Sequence, residues 1–202
     1  MTSCHFNNLQ PTITEAIIDL ESYAIVEVSG KDAERFLQGQ LSCNLSELAV
    51  DSSTLHNSSL IGTASTPKGR MYSLFRIARF KDGHEDRFLL RMPASMTEIF
   101  KAQLSKYIVF FKAEIQTDTQ WHVTGILTQS ALEKVKVNAV NNLVFPAIDG
   151  SERFECWHTE PLTTDSEIES SLIEADWLWL DMAAGIPELA PEISESFIPQ
   201  ML

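Results

Sequence analysis

The chain has 202 residues, 44% hydrophobic and 21% charged, which is enough to bury one large core or two smaller ones in an ordinary globular protein. Its formal net charge of −13 makes a surface that repels phosphate backbones, so direct nucleic-acid binding is not expected unless a local basic patch overrides it. The apolar runs fall well short of the ~18 residues of a membrane helix, and the start, MTSCHFNNLQPT, has no basic and apolar signal regions.

Three cysteines, Cys4, Cys43 and Cys156, occur without a CxxC pair. That pattern suits neither a zinc nor an iron–sulfur site held by this chain, and it fits a reducing cytoplasm. Residues 1–14 read as a loose lead-in, and 15–20 as a short apolar segment. Tyr23–Val28 is a strand by its β-branched residues Ile25, Val26 and Val28. Gly30 closes it, being free to take a positive φ. A compact helix follows, with Asp32 and Glu34 in the first turn and Ala33, Phe36, Leu37, Gln40 and Leu41 on its inner stripe, ending near 42–44.

Leu55–Thr63 and Arg70–Phe80 read as paired strands joined by GTASTPKGR, in which Pro67 fixes one φ and Gly69 can take a positive one. Lys68, Arg70, Arg76, Arg79 and Lys81 form the one dense basic cluster, expected to be exposed on an edge strand. A turn at Asp82-Gly83 leads into a strand over 87–92. Pro93 ends that strand, and Ser95 is expected to cap a helix over 96–106. Residues 109–115 are expected to be extended, and QTDTQ at 116–120 marks a boundary. Trp121–Leu127 and Arg153–His158 read as strands, Ser130–Val137 as a short helix and 138–142 as a loop. A helix is expected from about 166, bending near Ala175, to Ala184, where Gly185 and Pro187 stop it. The reading is an α+β chain of antiparallel hairpins with helices on one face. It implies two subdomains: 1–47 with 118–202 as a split first one, and 48–117 as the second.

No GxGxxG, GxxxxGKS or GxSxG motif occurs, and the five histidines are scattered, so neither a catalytic residue nor a metal site is expected. Asp176 and Asp181 are five apart on one helix and point away from each other. Trp177 and Trp179, two apart, face opposite sides of that helix. One can be core while the other lines a cleft where a flat heteroaromatic ring would stack.

Four segments, VSGKDAERFLQGQLSCNLSEL, TPKGRMYSLFRIAR, LSKYIVFFKAEI and WLWLDMAAGIPELAPEISESFIPQML, in this order resemble the YgfZ-type folate-binding proteins of the glycine-cleavage T-protein superfamily, GcvT-like in fold. The resemblance covers the chain from about residue 20. It implies tetrahydrofolate or a derivative as ligand, and a role in iron–sulfur protein maintenance and in tRNA modification by iron–sulfur enzymes. Two family tryptophans associated with folate fall at Trp177 and at Tyr23, where a tyrosine can still stack. Gln40 and the Lys68–Arg70 loop are expected near the same cleft. Related T-protein enzymes carry acidic residues just after PKG, whereas here Arg70-Met71-Tyr72-Ser73-Leu74 has no carboxylate, which implies binding without aminomethyl transfer. The alternatives are a folate-dependent one-carbon transferase and an interaction module that no longer binds folate. The family's KGCYxGQE motif and C-terminal barrel do not follow FIPQ, so a truncated chain with an uncovered apolar surface is expected, and none of the three cysteines corresponds to the one in that motif.

Overall fold

The computed structural model describes residues 15–48, 58–82, 85–117, 119–136, 142–164, 168 and 171–201. The strands are β1 (Ala16–Asp19), β2 (Tyr23–Ser29), β3 (Ser59–Ser65), β4 (Met71–Asp82), β5 (Glu85–Pro93), β6 (Glu114–Gln116), β7 (His122–Leu127), β8 (Asn142–Pro146) and β9 (Arg153–His158). The helices are α1 (Ala33–Gln38), α2 (Thr97–Ile108), α3 (Gln129–Lys134) and α4 (Glu174–Ala183). The strands make two antiparallel sheets, one ordered β3-β4-β5-β2-β6 and the other β1-β7-β9-β8.

Strand alternation puts successive side chains on opposite faces, and here both faces are used. From β2 and β5, Val26, Val28, Phe88, Leu90 and Met92 pack under α1 and α2 with Phe36, Phe100 and Leu104. The alternate residues Ile25, Ala78 and Leu89 turn the other way and meet Val123, Leu143, Phe145 and Trp157 of the second sheet. That sheet's outer face, with Ile126, Val144 and Cys156, is covered by Ala131 and Leu132 of α3. The result is helices, sheet, sheet, helix, with α1 and α2 on the outer face of one sheet and α3 on that of the other. The helix α4 contributes Trp177 to the layer between the sheets. The α+β antiparallel architecture read from the sequence is the one observed.

Several boundaries differ. Gln40 lies beyond α1, which ends at Gln38 because the chain turns at Gly39 and Leu41 bridges to Ala64. Ser95 does not cap α2; a single 3-10 turn over Ala94–Met96 leads into the helix, and the Thr97 hydroxyl donates to the Ala94 carbonyl at 2.9 Å. Residues 109–111 continue the turn of α2 rather than extending, leaving Val109 and Phe110 72% and 83% exposed. The strand β8 falls where no element was expected. Residues 171–173 are not helical, and α4 starts at Glu174, with the Asp176 carboxylate accepting from the Ile173 N–H at 2.9 Å. Residues 165–167 and 169–170, the start of the expected longer helix, lie outside the described residues, as do 49–57, 83–84 and 137–141. The polar stretch 116–120 separates the last strand of the five-stranded sheet from the strands of the second. Of the N-terminal elements, β1 joins the 118–202 strands while β2 hydrogen-bonds within the five-stranded sheet.

Gly125 is fixed by packing. A Cβ there would stand 2.5 Å from the Trp177 ring, well inside van der Waals contact. Gly125→Ala is expected to cost about 1–3 kcal/mol by overpacking, read as a lower urea midpoint. An unchanged midpoint would show that Trp177 moves aside freely.

Candidate functional site

The inner faces of the two sheets carry ionised groups as well as apolar ones. Arg76 on β4, Arg91 on β5 and Glu155 on β9 are 3%, 9% and 5% exposed. Arg91 donates to both carboxylate oxygens of Glu155, from Nη2 at 2.7 Å and Nε at 3.3 Å. Arg76 Nη1 stands 3.4 Å from the same carboxylate, and Trp157 Nε1 donates to it at 3.0 Å. Arg76 also donates to the Pro146 carbonyl at 2.7 Å and to the Ser59 hydroxyl at 2.8 Å. Burial alone would push the Glu155 carboxyl up; Arg91 and Arg76 outweigh it and hold the carboxyl down at about 2.

Around this node stand the two aromatic residues singled out in the sequence. The Arg91 guanidinium lies over the Tyr23 ring, 4.2 Å from its centroid. The Tyr23 hydroxyl donates to Glu188 at 3.4 Å, and burial pushes its pKa up. On the other side, Arg153 donates to Asp181 at 2.8 Å and lies 5.2 Å from the Trp177 ring centroid. Burial raises the carboxyls of both Asp181 and Glu188. Two small cavities open here. One, of about 30 Å³, is lined by Tyr23, Arg76, Arg91, Asp181, Ile186 and Glu188. The other, of about 10 Å³, is lined by Arg91, Arg153, Glu155, Trp177 and Asp181. Trp177 is the inner indole, 2% exposed, and its Nε1–H has no acceptor among the described residues; Trp179 is the outer one, 45% exposed. The loop after α4 helps line both cavities through Ile186. It turns at Gly185, φ +71°, with the Ile186 and Gly185 amides donating back to the Asp181 and Met182 carbonyls.

Tyr23 and Trp177 are thus brought to one ion cluster. Lys68 and Arg70 are exposed on a separate turn, closed by the Thr66 amide donating to the Arg70 carbonyl at 2.8 Å. Arg70 donates to the Ser196 carbonyl at 2.9 Å, and the Met71 amide to the Phe197 carbonyl at 2.9 Å. That loop therefore holds the 194–197 segment. Gln40 is half-buried, and no described contact joins it, Lys68 or Arg70 to Tyr23 or Trp177. Ser73 is buried with its hydroxyl 3.8 Å from the Met92 sulfur.

The basic stretch of β4 is not an exposed edge. It lies between β3 and β5, so Arg76 is a buried ion-pair member and Arg79 pairs with Glu34 and Asp86. Arg91, Arg153, Glu155 and Glu188 were not singled out in the sequence. The available signal was charge at inward positions of strands that otherwise read as apolar.

No family model matches the chain. It is 32% identical over 187 residues to an uncharacterized protein of Haemophilus influenzae, covering 92% of this chain and 59% of that protein. It is 29% and 28% identical over 203 residues to proteins named tRNA-modifying protein YgfZ from Cronobacter sakazakii and an Enterobacter species, covering 91% of this chain. The chain spans 58–59% of the length of these curated relatives. In fold it is similar to the glycine cleavage system aminomethyltransferase T of Bartonella henselae, with TM-score 0.57 and 14% identity over 72% of this chain and 42% of that one. The paired sheets therefore have a GcvT-like fold. In sequence the chain is similar to the YgfZ-type proteins.

Glu155→Gln, which leaves two buried guanidiniums facing a neutral amide, is expected to cost about 3–5 kcal/mol in urea unfolding. The parent carries a matching acid signature. Because the folded pKa of Glu155 lies below its unfolded value, its contribution is present above about pH 4.5 and is lost as pH falls towards about 2. Equal acid slopes in parent and variant would show that Glu155 is not charged against the arginines.

Proposed function

We propose that this chain binds a reduced folate, tetrahydrofolate or a derivative, between Tyr23 and Trp177, and that it does so without transferring a one-carbon group. The observation that carries this is the convergence of Tyr23, Trp177, Arg91, Asp181 and Glu188 on adjoining cavities beneath the 184–188 loop. A pterin is flat, aromatic and rich in both donors and acceptors. Aromatic rings offer it stacking surface, the carboxylates accept its N–H groups, and the Trp177 N–H is a donor with no partner among the described residues. The cavities are smaller than a pterin, so the 184–188 loop must swing out for the ring to enter. Lys68 and Arg70, on the turn that holds the 194–197 segment, and Gln40 lie outside this pocket.

The absence of a carboxylate in Met71–Leu74 and the burial of Ser73 against Met92 support binding without transfer. Asp181 and Glu188, carboxyls raised by burial, are what favours the second reading, a one-carbon transferase with one of them as general acid. The names of its YgfZ relatives support an accessory role in tRNA modification. In this reading it acts in the cytoplasm through iron–sulfur proteins or their assembly machinery, since the −13 charge disfavours contact with tRNA itself.

The test is an anaerobic tetrahydrofolate titration followed by intrinsic tryptophan fluorescence on the parent, Tyr23→Ala and Trp177→Phe. Saturable quenching in the parent, weakened at least tenfold in both variants, is expected. A folded parent that does not bind overturns the folate reading. Turnover of an aminomethyl donor with tetrahydrofolate overturns the non-catalytic one.

A further inference from the structure

The turn that ends α2 holds apolar side chains out to solvent. Residues 107–112 read YIVFFK. The Phe111 amide donates to the Ile108 carbonyl at 2.8 Å, and the Phe110 amide to the Tyr107 carbonyl at 3.5 Å. Ile108 and Phe111 turn inwards and pack on the core under α1, with the Phe111 ring centroid 5.2 Å from that of Phe36. Val109 and Phe110 turn outwards, 72% and 83% exposed, beside Tyr107 at 38%. The outward pair is not a frayed end. The Lys112 amide donates to the Asp32 carboxylate at 2.9 Å, and its carbonyl accepts from the Asp32 amide at 3.2 Å. Gly30, φ +108°, permits this approach, since a Cβ there would stand 2.5 Å from the Lys112 oxygen. The tip is thus anchored on one side by α2 and on the other by the turn at 30–32.

The charge around this tip is opposite to that of the chain. Between Glu98 and Glu114 the sequence has three lysines and no carboxylate, in a chain with 28 acidic and 15 basic residues. Lys106 and Lys112 flank the tip, Lys31 adjoins Gly30, and the Arg35 guanidinium lies 5.9 Å from the Phe111 ring centroid. All four cations are exposed. Of the carboxylates nearest on these segments, Asp32 is taken up by the Lys112 amide and Glu34 by Arg79, which leaves Glu114. Beyond a Debye length of about 8 Å the acidic remainder of the surface is screened.

An apolar tip with a basic collar is complementary to a surface that is anionic outside and apolar within. A stable protein partner covers about 800 Å² a side, whereas this patch is three side chains ringed by charge and projecting into solvent. A bilayer needs no shaped counterpart, because its headgroup boundary deforms around a tip that enters by about 5–10 Å. We propose that the 107–112 turn is a peripheral anchor for an anionic lipid surface. Val109 and Phe110 enter the headgroup–acyl boundary, Tyr107 lies at headgroup level, and Lys31, Arg35, Lys106 and Lys112 face the lipid phosphates. One small tip and a few cations give weak, reversible and salt-sensitive attachment, and no described helix is long and apolar enough to cross a membrane. The inference is independent of the folate reading, since the turn lies on the helix-covered face of the five-stranded sheet and Tyr23 and Trp177 lie between the sheets.

The probes are vesicles of phosphatidylcholine alone, vesicles of phosphatidylcholine with phosphatidylglycerol, and polyglutamate, an acidic polymer with no apolar layer. Parent, Phe110→Ser and the double variant Lys106→Gln/Lys112→Gln are titrated with each at about 50 mM and about 500 mM salt, urea midpoints reporting that the variants fold. Expected are binding of the parent to the anionic vesicles only, release at the higher salt, and affinity at least about tenfold weaker in both variants. Should the variants fail to fold, hydrogen exchange of the parent decides, with protection over 107–112 on anionic vesicles expected. A parent that ignores anionic vesicles or binds neutral ones equally, unchanged affinity in either folded variant, or no protection over 107–112 overturns the proposal. Binding to polyglutamate as tight as to vesicles also overturns it, and gives the patch to an acidic protein instead.

Discussion

One carboxylate holds the two sheets in their relation. Glu155 projects from the second sheet between Arg76 and Arg91 of the first, and its two oxygens are taken up by both guanidiniums and by the Trp157 indole. Three ionised groups in this position are costly to bury singly and tolerable only together. Apolar packing between sheets is non-directional and would accept many sliding arrangements. A two-pronged arginine–carboxylate contact accepts few. The node therefore fixes the register of one sheet on the other more than it adds to stability.

The candidate site follows from that register. Arg91 is turned towards Glu155, and its guanidinium forms a floor beneath Tyr23. Pro146, whose carbonyl receives Arg76, starts the connection from β8 to β9, and Ile148 on that connection helps line the cavity beside Trp177. Arg153 at the start of β9 holds Asp181 of α4, so the helix bearing Trp177 is tied to the same sheet. Two aromatic residues far apart in sequence are placed on one cluster by three arginines, and the short loop 184–188 lines both of its cavities.

Much of this was legible in the chain. Tyr23–Val28, the Gly30 turn, the β4–β5 pair and the Gly185 stop all rest on local rules, and all are present. Trp177 and Trp179 divide into inner and outer faces as their spacing requires. The ion cluster was not legible, because nothing local distinguishes a buried strand arginine from an exposed one. Arg76 is buried because the second sheet, whose strands lie far along the chain, packs on that face of β4 and brings Glu155 to it. The strand β8 was missed because its five residues NLVFP are too short and too uniformly apolar to show a period. Residues 109–111 read as extended from their β-branched and aromatic content, yet they follow the end of α2. Gln40 and the Lys68–Arg70 loop were grouped with Tyr23 by resemblance, and the described contacts place them with the opposite face and with the 194–197 segment.

Hydrogen exchange with and without tetrahydrofolate, kept anaerobic, tests the central claim most directly, because it reports where on the chain a ligand is felt. The account predicts protection over 184–188, over β5 around Arg91 and over the 147–149 connection, with little change at 66–70. Protection confined to 66–70, or absent from 184–188 under saturating ligand, would contradict it.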